Sequence, residues 1–268
     1  MKFDYYAASL PATVGHCQST IISMFGEGVT QQKPISPFKF GASHVGEGFR
    51  WYWGGENPRP YFVASGRSAI AGAEFVRDAY PDHRVSRVDV CTDFDEAGGW
   101  DRITRLIEPI ARKSGVEILF MGDPDAKKKT GRTMYFGSKA SDVRLCVYEK
   151  GLHERKLGAI GVSENWFRVE LRVKPRKERK GIAAHSTQAE LWGMAKWTQR
   201  VAENVLQNEV PFIPDISLRK SSADQAFEHM LKQYASTMRE ISRLYGAKHL
   251  MQRIKNELVD EEGGGIVN

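Results

Sequence analysis

Three segments of this 268-residue chain alternate apolar and polar residues with a period of two, and this alternation restricts the fold more than any other feature. They are Arg87-Val-Asp-Val-Cys-Thr-Asp93, Arg144-Leu-Cys-Val-Tyr-Glu-Lys150 and Trp166-Phe-Arg-Val-Glu-Leu-Arg-Val-Lys174. Successive side chains of a strand point to opposite sides. One side of these segments therefore carries valine, leucine and phenylalanine, which other elements must cover. The other side carries three polar sets: Arg87, Asp89, Cys91 and Asp93; Arg144, Cys146, Tyr148 and Lys150; Arg168, Glu170, Arg172 and Lys174. Strands of this kind predict a sheet with helices on its apolar face and charge on its other face.

The rest of the chain extends that reading. Residues 2–9 read as a strand, 12–25 as a helix, and 36–43, 48–54 and 60–65 as strands between Gly and Pro turns; a helix over 68–80 stops at Pro81. A second round follows, with a strand at 85–94 and a helix at 100–114 whose Ile103, Leu106, Ile107, Ile110 and Ala111 recur at helical spacing. Strands at 117–121, 132–136, 143–150 and 166–174 complete it. Phe3-Asp4-Tyr5 echoes Val88-Asp89-Val90. The expected class is α+β: an antiparallel-rich central sheet from two pseudo-repeated βαβ, ferredoxin-like units, 1–83 and 84–180, with helices on one face. A helical C-terminal region over 181–262 and a flexible tail over 263–268 follow. In that region a capping box at Ser186–Glu190 opens a helix running towards Leu206. Residues 222–261 form one helix or two, hinged near Gly246. Their stripe of Phe227, Leu231, Tyr234, Met238, Ile241 and Leu244 is expected to dock on the core.

Bulk properties exclude several classes. With 41% hydrophobic and 27% charged residues, the chain is neither disordered nor a disulfide scaffold. Its three cysteines, Cys17, Cys91 and Cys146, form no Cys-x-x-Cys pair, so a zinc site is not expected. No uncharged apolar run reaches the roughly 18 residues of a membrane span. The first residues lack the apolar core of a signal peptide, and a cytoplasmic location is expected. There is no P-loop, no Gly-x-Ser-x-Gly elbow and no His-x-His pair. The net charge is +6, and the cations crowd between Lys127 and Lys180, around the acids and the tyrosine of the alternating strands. That placement points to a polyanionic partner.

If the three strands are neighbours, Asp89, Asp93, Glu170 and Tyr148 converge on one surface. Carboxylates on a rigid sheet suit a hard divalent cation, Mg²⁺ or Mn²⁺, able to polarise a phosphoryl oxygen. Tyr148 then supplies the attacking oxygen. A free phenol has a pKa of about 10, so Lys150 and Arg144 are the candidates to favour its ionised form. Arg132, Lys139, Arg144, Arg168, Arg172 and Lys174 are the candidate phosphate contacts. Each residue also has a plainer role open to it. A strand tyrosine more often packs, the aspartates can cap a strand end, and Glu170 can pair with Arg168 or Arg172 for about 0–1 kcal/mol. Tyr135, between Met134 and Phe136, reads as structural or as a base-stacking residue. The joint pattern favours attack of a phenolate on a DNA phosphodiester, with a non-catalytic origin or single-strand binder, or a hydrolytic nuclease, as alternatives.

Four ordered blocks carry a resemblance: Arg87–Asp95, Gly131–Lys139, Val143–Lys150 and Trp166–Lys174. Together they resemble the replication initiation factor family of rolling-circle plasmids and filamentous phages, the class without paired histidines. The resemblance implies an initiator that nicks one strand at an origin, stays on the 5′ phosphate and later rejoins the strand. It places the nucleophile on Tyr148 and the metal on Asp89 and Glu170, with Asp93 a weaker ligand. Origin DNA and a host superfamily-1 helicase are the implied partners, and the size resembles a phage initiator more than a plasmid one. A homodimer is left open.

Overall fold

Ten strands form one antiparallel sheet in the computed structural model, which describes residues 1–25, 30–32, 39–123, 131–213 and 230–258 apart from 232. The strands are β1 (Lys2–Ser9), β2 (Thr30–Gln32), β3 (Ala42–Gly46), β4 (Phe49–Trp53), β5 (Tyr61–Ser65), β6 (Arg84–Asp95), β7 (Ile118–Met121), β8 (Thr133–Phe136), β9 (Val143–Tyr148) and β10 (Trp166–Val173). Helices α1 (Val14–Phe25), α2 (Ser68–Ala79), α3 (Gly99–Lys113), α4 (Lys150–Lys156), α5 (Arg179–His185) and α6 (Lys196–Asn204) are interleaved with them. β1 and β6 lie side by side at the centre. Outward from β1 run β5, β4, β3 and β2, and outward from β6 run β10, β9, β8 and β7. In each half the chain leaves its central strand, passes through a helix to the sheet edge and returns strand by strand. The α+β class with a large antiparallel sheet is thus the one expected.

The alternation reads directly onto the two faces. Val88 and Val90 of β6, Leu145 and Val147 of β9, and Val169 and Leu171 of β10 are all buried in one core with Phe62 and Ala64 of β5. Helices cover that face. Gly72 of α2 lies so close to Ala64 and Phe62 that a Cβ there would collide with them. Trp100 of α3 donates its indole N–H to the Val147 carbonyl at 3.2 Å. Buried Tyr6 bonds both His83, at 2.6 Å, and the Ala184 carbonyl of α5, at 3.3 Å. Burial of this kind contributes about 25 cal/mol per Å² of apolar surface and is the main force holding the helices down.

Several local expectations are corrected. The strand expected over 143–150 stops at Tyr148, and Lys150 opens α4 instead of extending the strand face. The cause is non-local: the Glu149 carboxylate accepts from the Arg132 backbone N–H and guanidinium, both at 2.7 Å. Gly151, pressed against the Ser163 carbonyl, allows the turn because it has no Cβ. The strand placed at 36–43 is found at Ala42–Gly46, where it forms a hairpin with β4 through Glu47-Gly48; Gly48 takes the positive φ of 75° that the turn needs. The capping box is real, with reciprocal bonds between Thr187 and Glu190, but it opens a 3₁₀ turn over Glu190–Met194. Extended Ala195 separates that turn from α6, so no continuous helix reaches Leu206.

The chain divides into two compact units, Met1–Ile216 and Ser217–Asn268. In the second, α7 (Ala235–Tyr245) and α8 (Ala247–Leu258) meet at Gly246, the expected hinge, whose φ is 87°. Phe227, the Lys127–Lys129 run and the 263–268 tail lie outside the described residues. No described helix is long and apolar enough to cross a membrane.

Candidate functional site

β10 lies between β6 and β9, so the three alternating segments are neighbours and their polar faces form one surface. On it, Arg168 stands opposite Asp93 on one side and Tyr148 on the other. Glu170 stands between Cys91 and Cys146, and Arg172 between Asp89 and Arg144. Half-buried Tyr148 donates its hydroxyl to Glu170 Oε2 at 3.3 Å. Glu170 Oε1 accepts from Arg172 Nε at 2.7 Å, and that nitrogen lies 3.9 Å from Asp89 Oδ2. Asp89 in turn accepts a two-pronged bond from Arg87, through Nε at 2.9 Å and Nη2 at 2.5 Å. Tyr148, Glu170 and Asp89 are thereby joined in one network. Both acids are buried, at 4% and 2% exposure.

A second network takes Asp93 away from the first. Arg168, only 6% exposed, bonds Asp93 through Nε at 2.7 Å and Nη2 at 3.0 Å, and bonds Asp4 through Nη1 at 2.7 Å. Lys2 Nζ at 2.8 Å and the Trp166 indole at 3.0 Å complete the ring around Asp93. Asp4 reaches this face by alternating with core-facing Phe3, and a bulge between Phe3 and Tyr5 puts Tyr5 on the same face. Bulges bend a strand and re-aim its side chains. Sequence reasoning missed Lys2 and Asp4 because nothing local shows that β1 pairs with β6, although Phe3-Asp4-Tyr5 echoes Val88-Asp89-Val90. It also missed Arg87 as the partner of Asp89, which period-two spacing on one strand could have suggested.

The remaining candidates are distributed unevenly. Lys150 pairs with Glu154 on α4 and keeps its ammonium 5.8 Å from the centres of both the Tyr148 and Trp166 rings. His153 meets the Tyr148 ring edge-on at 6.4 Å. Arg144 lies over Tyr135 at 3.9 Å and donates to the Gly137 carbonyl at 3.0 Å, at the margin of the same face. Lys139 and Lys174 are exposed beyond the strand ends, with the Lys174 ammonium 3.4 Å from the Lys139 carbonyl oxygen. Arg132 does not join them. It is stacked on Trp100 at 4.2 Å and bound by Asp101 and Glu149 at 2.7–3.1 Å.

Burial and charge set the protonation of the site. Burial first, and then the neighbouring Glu170 carboxylate, push the Tyr148 hydroxyl well above the ordinary phenol range, while Arg168 opposes them. Burial also lifts Asp89 to about 6 despite the Arg87 pair. Burial alone would raise Asp93, but bonds from Arg168, Lys2 and Trp166 overcome it and hold the carboxyl at about 2. Burial raises Cys91 and Cys146 to about 12, which keeps both thiols neutral.

Among the described residues, no group of three or more His, Cys, Asp and Glu side chains is arranged around a common metal position. The donor set available is the pair Asp89 and Glu170. Two carboxylates suit Mg²⁺ or Mn²⁺, which commonly keep water and substrate phosphate oxygens in the rest of their shell. Burial is what lifts the Asp89 carboxyl to about 6, a nearby cation would favour its ionised form, and neutral thiols do not favour a soft ion. The residues therefore fit a hard cation.

Known proteins place these observations in context. No curated protein matches the sequence. A solved rolling circle replication initiator protein from Geobacillus stearothermophilus is similar in structure, with a TM-score of 0.51 over 82% of this chain and 88% of that one. The two sequences are 15% identical, so what they share is the fold. A family model described as replication initiation factor matches residues 116–255, a stretch that contains Tyr148 and Glu170 and leaves Asp89 upstream. Because that match spans just over half of the sequence, the chain belongs to the replication initiation factor family.

Proposed function

We propose that this protein starts rolling-circle replication by nicking and later rejoining one strand of origin DNA through Tyr148. The observation that carries the reading is the hydroxyl of Tyr148 donating to the buried Glu170 carboxylate on a sheet face rich in arginine. In the forward step the Tyr148 oxygen bonds to the scissile phosphorus and the P–O3′ bond breaks. Glu170 takes the phenolic proton and returns it to the departing 3′ oxygen, so no proton is gained or lost. The product is a 5′-phosphotyrosyl ester with a free 3′ hydroxyl, and reversal reseals the strand. Asp89 and Glu170 would hold a Mg²⁺ or Mn²⁺ ion, which supplies positive charge at the attacked phosphate. Lys150, beside the Tyr148 ring, turns from Glu154 to the phosphate and favours the phenolate. Arg172 and Arg144 flank the strand's path, with Lys139 and Lys174 contacting phosphates at its edge. Arg168 holds β1, β6 and β10 in place beneath Tyr148. Asp93, already ringed by cations, serves that scaffold and not the metal.

The test is nicking of supercoiled origin plasmid with Mg²⁺ or with EDTA, followed by detergent electrophoresis. The expected result is metal-dependent nicking and a detergent-stable DNA adduct, both lost in Tyr148→Phe. Cleavage that survives Tyr148→Phe would instead mean hydrolysis by water. Salt-sensitive binding without any cleavage would mean a binding protein on the same scaffold.

A further inference from the structure

The charged face does not end at Asp89. Tyr5 of β1 is the cross-strand partner of Asp89 on one side and of Ser65 on the other. Val63 pairs with Arg50, and Tyr61 with Tyr52, so these residues continue the same face across β5 and β4. Here the sheet sinks into a cleft of about 290 Å³ lined by Tyr5, Val45, Arg50, Tyr52, Val63 and Ser65 among others. That volume is at the small end of ligand sites, about 300–1,000 Å³. Arg87 covers one side of the Tyr5 ring at 4.3 Å and bonds Asp89 with the same guanidinium. Tyr52 lies 5.5 Å from Phe40, and Phe40 stacks on Tyr61 at 5.9 Å, which buttresses the cleft's aromatic wall. Arg50 is exposed at the rim.

We infer that this cleft is a second nucleic-acid subsite, which takes one unstacked base of the single strand a few nucleotides from the bond attacked at Tyr148. The inference rests on the nicking reading for its direction, though not for its chemistry. The half-buried Tyr5 ring, backed by buried Tyr52, offers a base its stacking surface, and an arginine at the rim meets the adjoining phosphate. Arg87 links the two sites physically. Tyr5 stands three strand spacings and four residues along from Tyr148, about 20 Å away. A cleft with a single exposed cation beside aromatic rings accepts bases of any sequence. It would hold the strand in register without specifying the origin.

The experiment uses the full chain and an oligothymidylate substituted with bromodeoxyuridine, with irradiation and mapping of the crosslinked peptides. Crosslinks on Tyr5 or Arg50 are expected, and they should persist in Tyr148→Phe. Arg50→Ala and Tyr5→Ala should each weaken binding of the oligonucleotide by about 10-fold, with Tyr5→Phe close to the parent. Arg50 is exposed, so Arg50→Ala keeps the fold even if Tyr5→Ala does not. Crosslinks confined to other surfaces, or unchanged affinity in Arg50→Ala and Tyr5→Ala, would overturn the subsite. If the protein nicks origin DNA but the crosslinks avoid the cleft, only the subsite falls. If they map to the cleft while nicking fails, only the nickase reading falls. Absence of any binding removes both.

Discussion

Asp89→Asn should make the protein more stable at neutral pH, and the gain should depend on pH in a defined way. The Asp89 carboxyl titrates at about 6 in the folded chain, against 3.8 for an ordinary aspartate. A folded-state value above the unfolded one means that the native state holds the proton more tightly. Stability is then lost as pH rises from the unfolded value through the folded one, between about pH 4 and pH 6. A rise of about two pH units corresponds to ~3 kcal/mol. Asparagine has nearly the same shape, still offers Arg87 an oxygen and cannot ionise. Its advantage over the parent should therefore be smallest below pH 4 and widen by about 3 kcal/mol by pH 7. Urea denaturation of both proteins across that range measures the gap directly, since the other titrating groups cancel in the difference. Mg²⁺ adds a second arm. If Asp89 is a ligand, the ion should raise the stability of the parent at pH 8 and leave Asp89→Asn unchanged. A gap that stays constant from pH 4 to pH 8, or narrows, would refute the assignment of Asp89 as an acid whose carboxyl is raised by burial.

Arg168→Met should cost about 3–5 kcal/mol, because it leaves Asp4 and Asp93 without their shared cation; chemical denaturation reads this, and Arg168→Lys should recover part of the loss. Lys139→Ala and Lys174→Ala should leave stability within about 0.5 kcal/mol while each lowers the salt slope of single-strand binding by about 0.7. Arg132→Ala should behave in the opposite way. Its guanidinium is stacked on Trp100 and paired twice. Its loss should therefore cost about 1–3 kcal/mol and leave the salt slope unchanged.

The faces of the sheet were legible because period-two alternation is a local property. Val88 and Val90 had to point away from Asp89, and the structure buries them as expected. Strand order was not legible, since pairing joins residues more than seventy positions apart, such as Asp93 and Arg168. Ends of elements failed where a distant side chain set them. Nothing in Val-Tyr-Glu-Lys says that Glu149 will bond Arg132 and stop the strand at Tyr148. The same holds for Asp4. Alternation with core-facing Phe3 puts it on the polar face, but only the pairing of β1 with β6 brings it to Arg168.

The arginines explain why acids so deeply buried are tolerated at all. A lone carboxylate in such a place would lose its charge. Here Arg87 and Arg172 stand against Asp89 and Glu170, two cations for two anions, while Arg168 and Lys2 answer Asp4 and Asp93. The two networks are not equivalent, however. Asp93 is held at about 2 by bonds from Arg168, Lys2 and Trp166, whereas deeper burial leaves Asp89 at about 6 despite its Arg87 pair. In the first network every Asp93 oxygen already accepts from Arg168, with Lys2 and Trp166 beside it. The second is the more deeply buried, so an added cation would favour its ionised acids more, and it is the one that touches the Tyr148 hydroxyl. On the proposed reading that imbalance selects where the cation and the phosphate meet. It also keeps the phenol protonated, and so unreactive, until both have arrived.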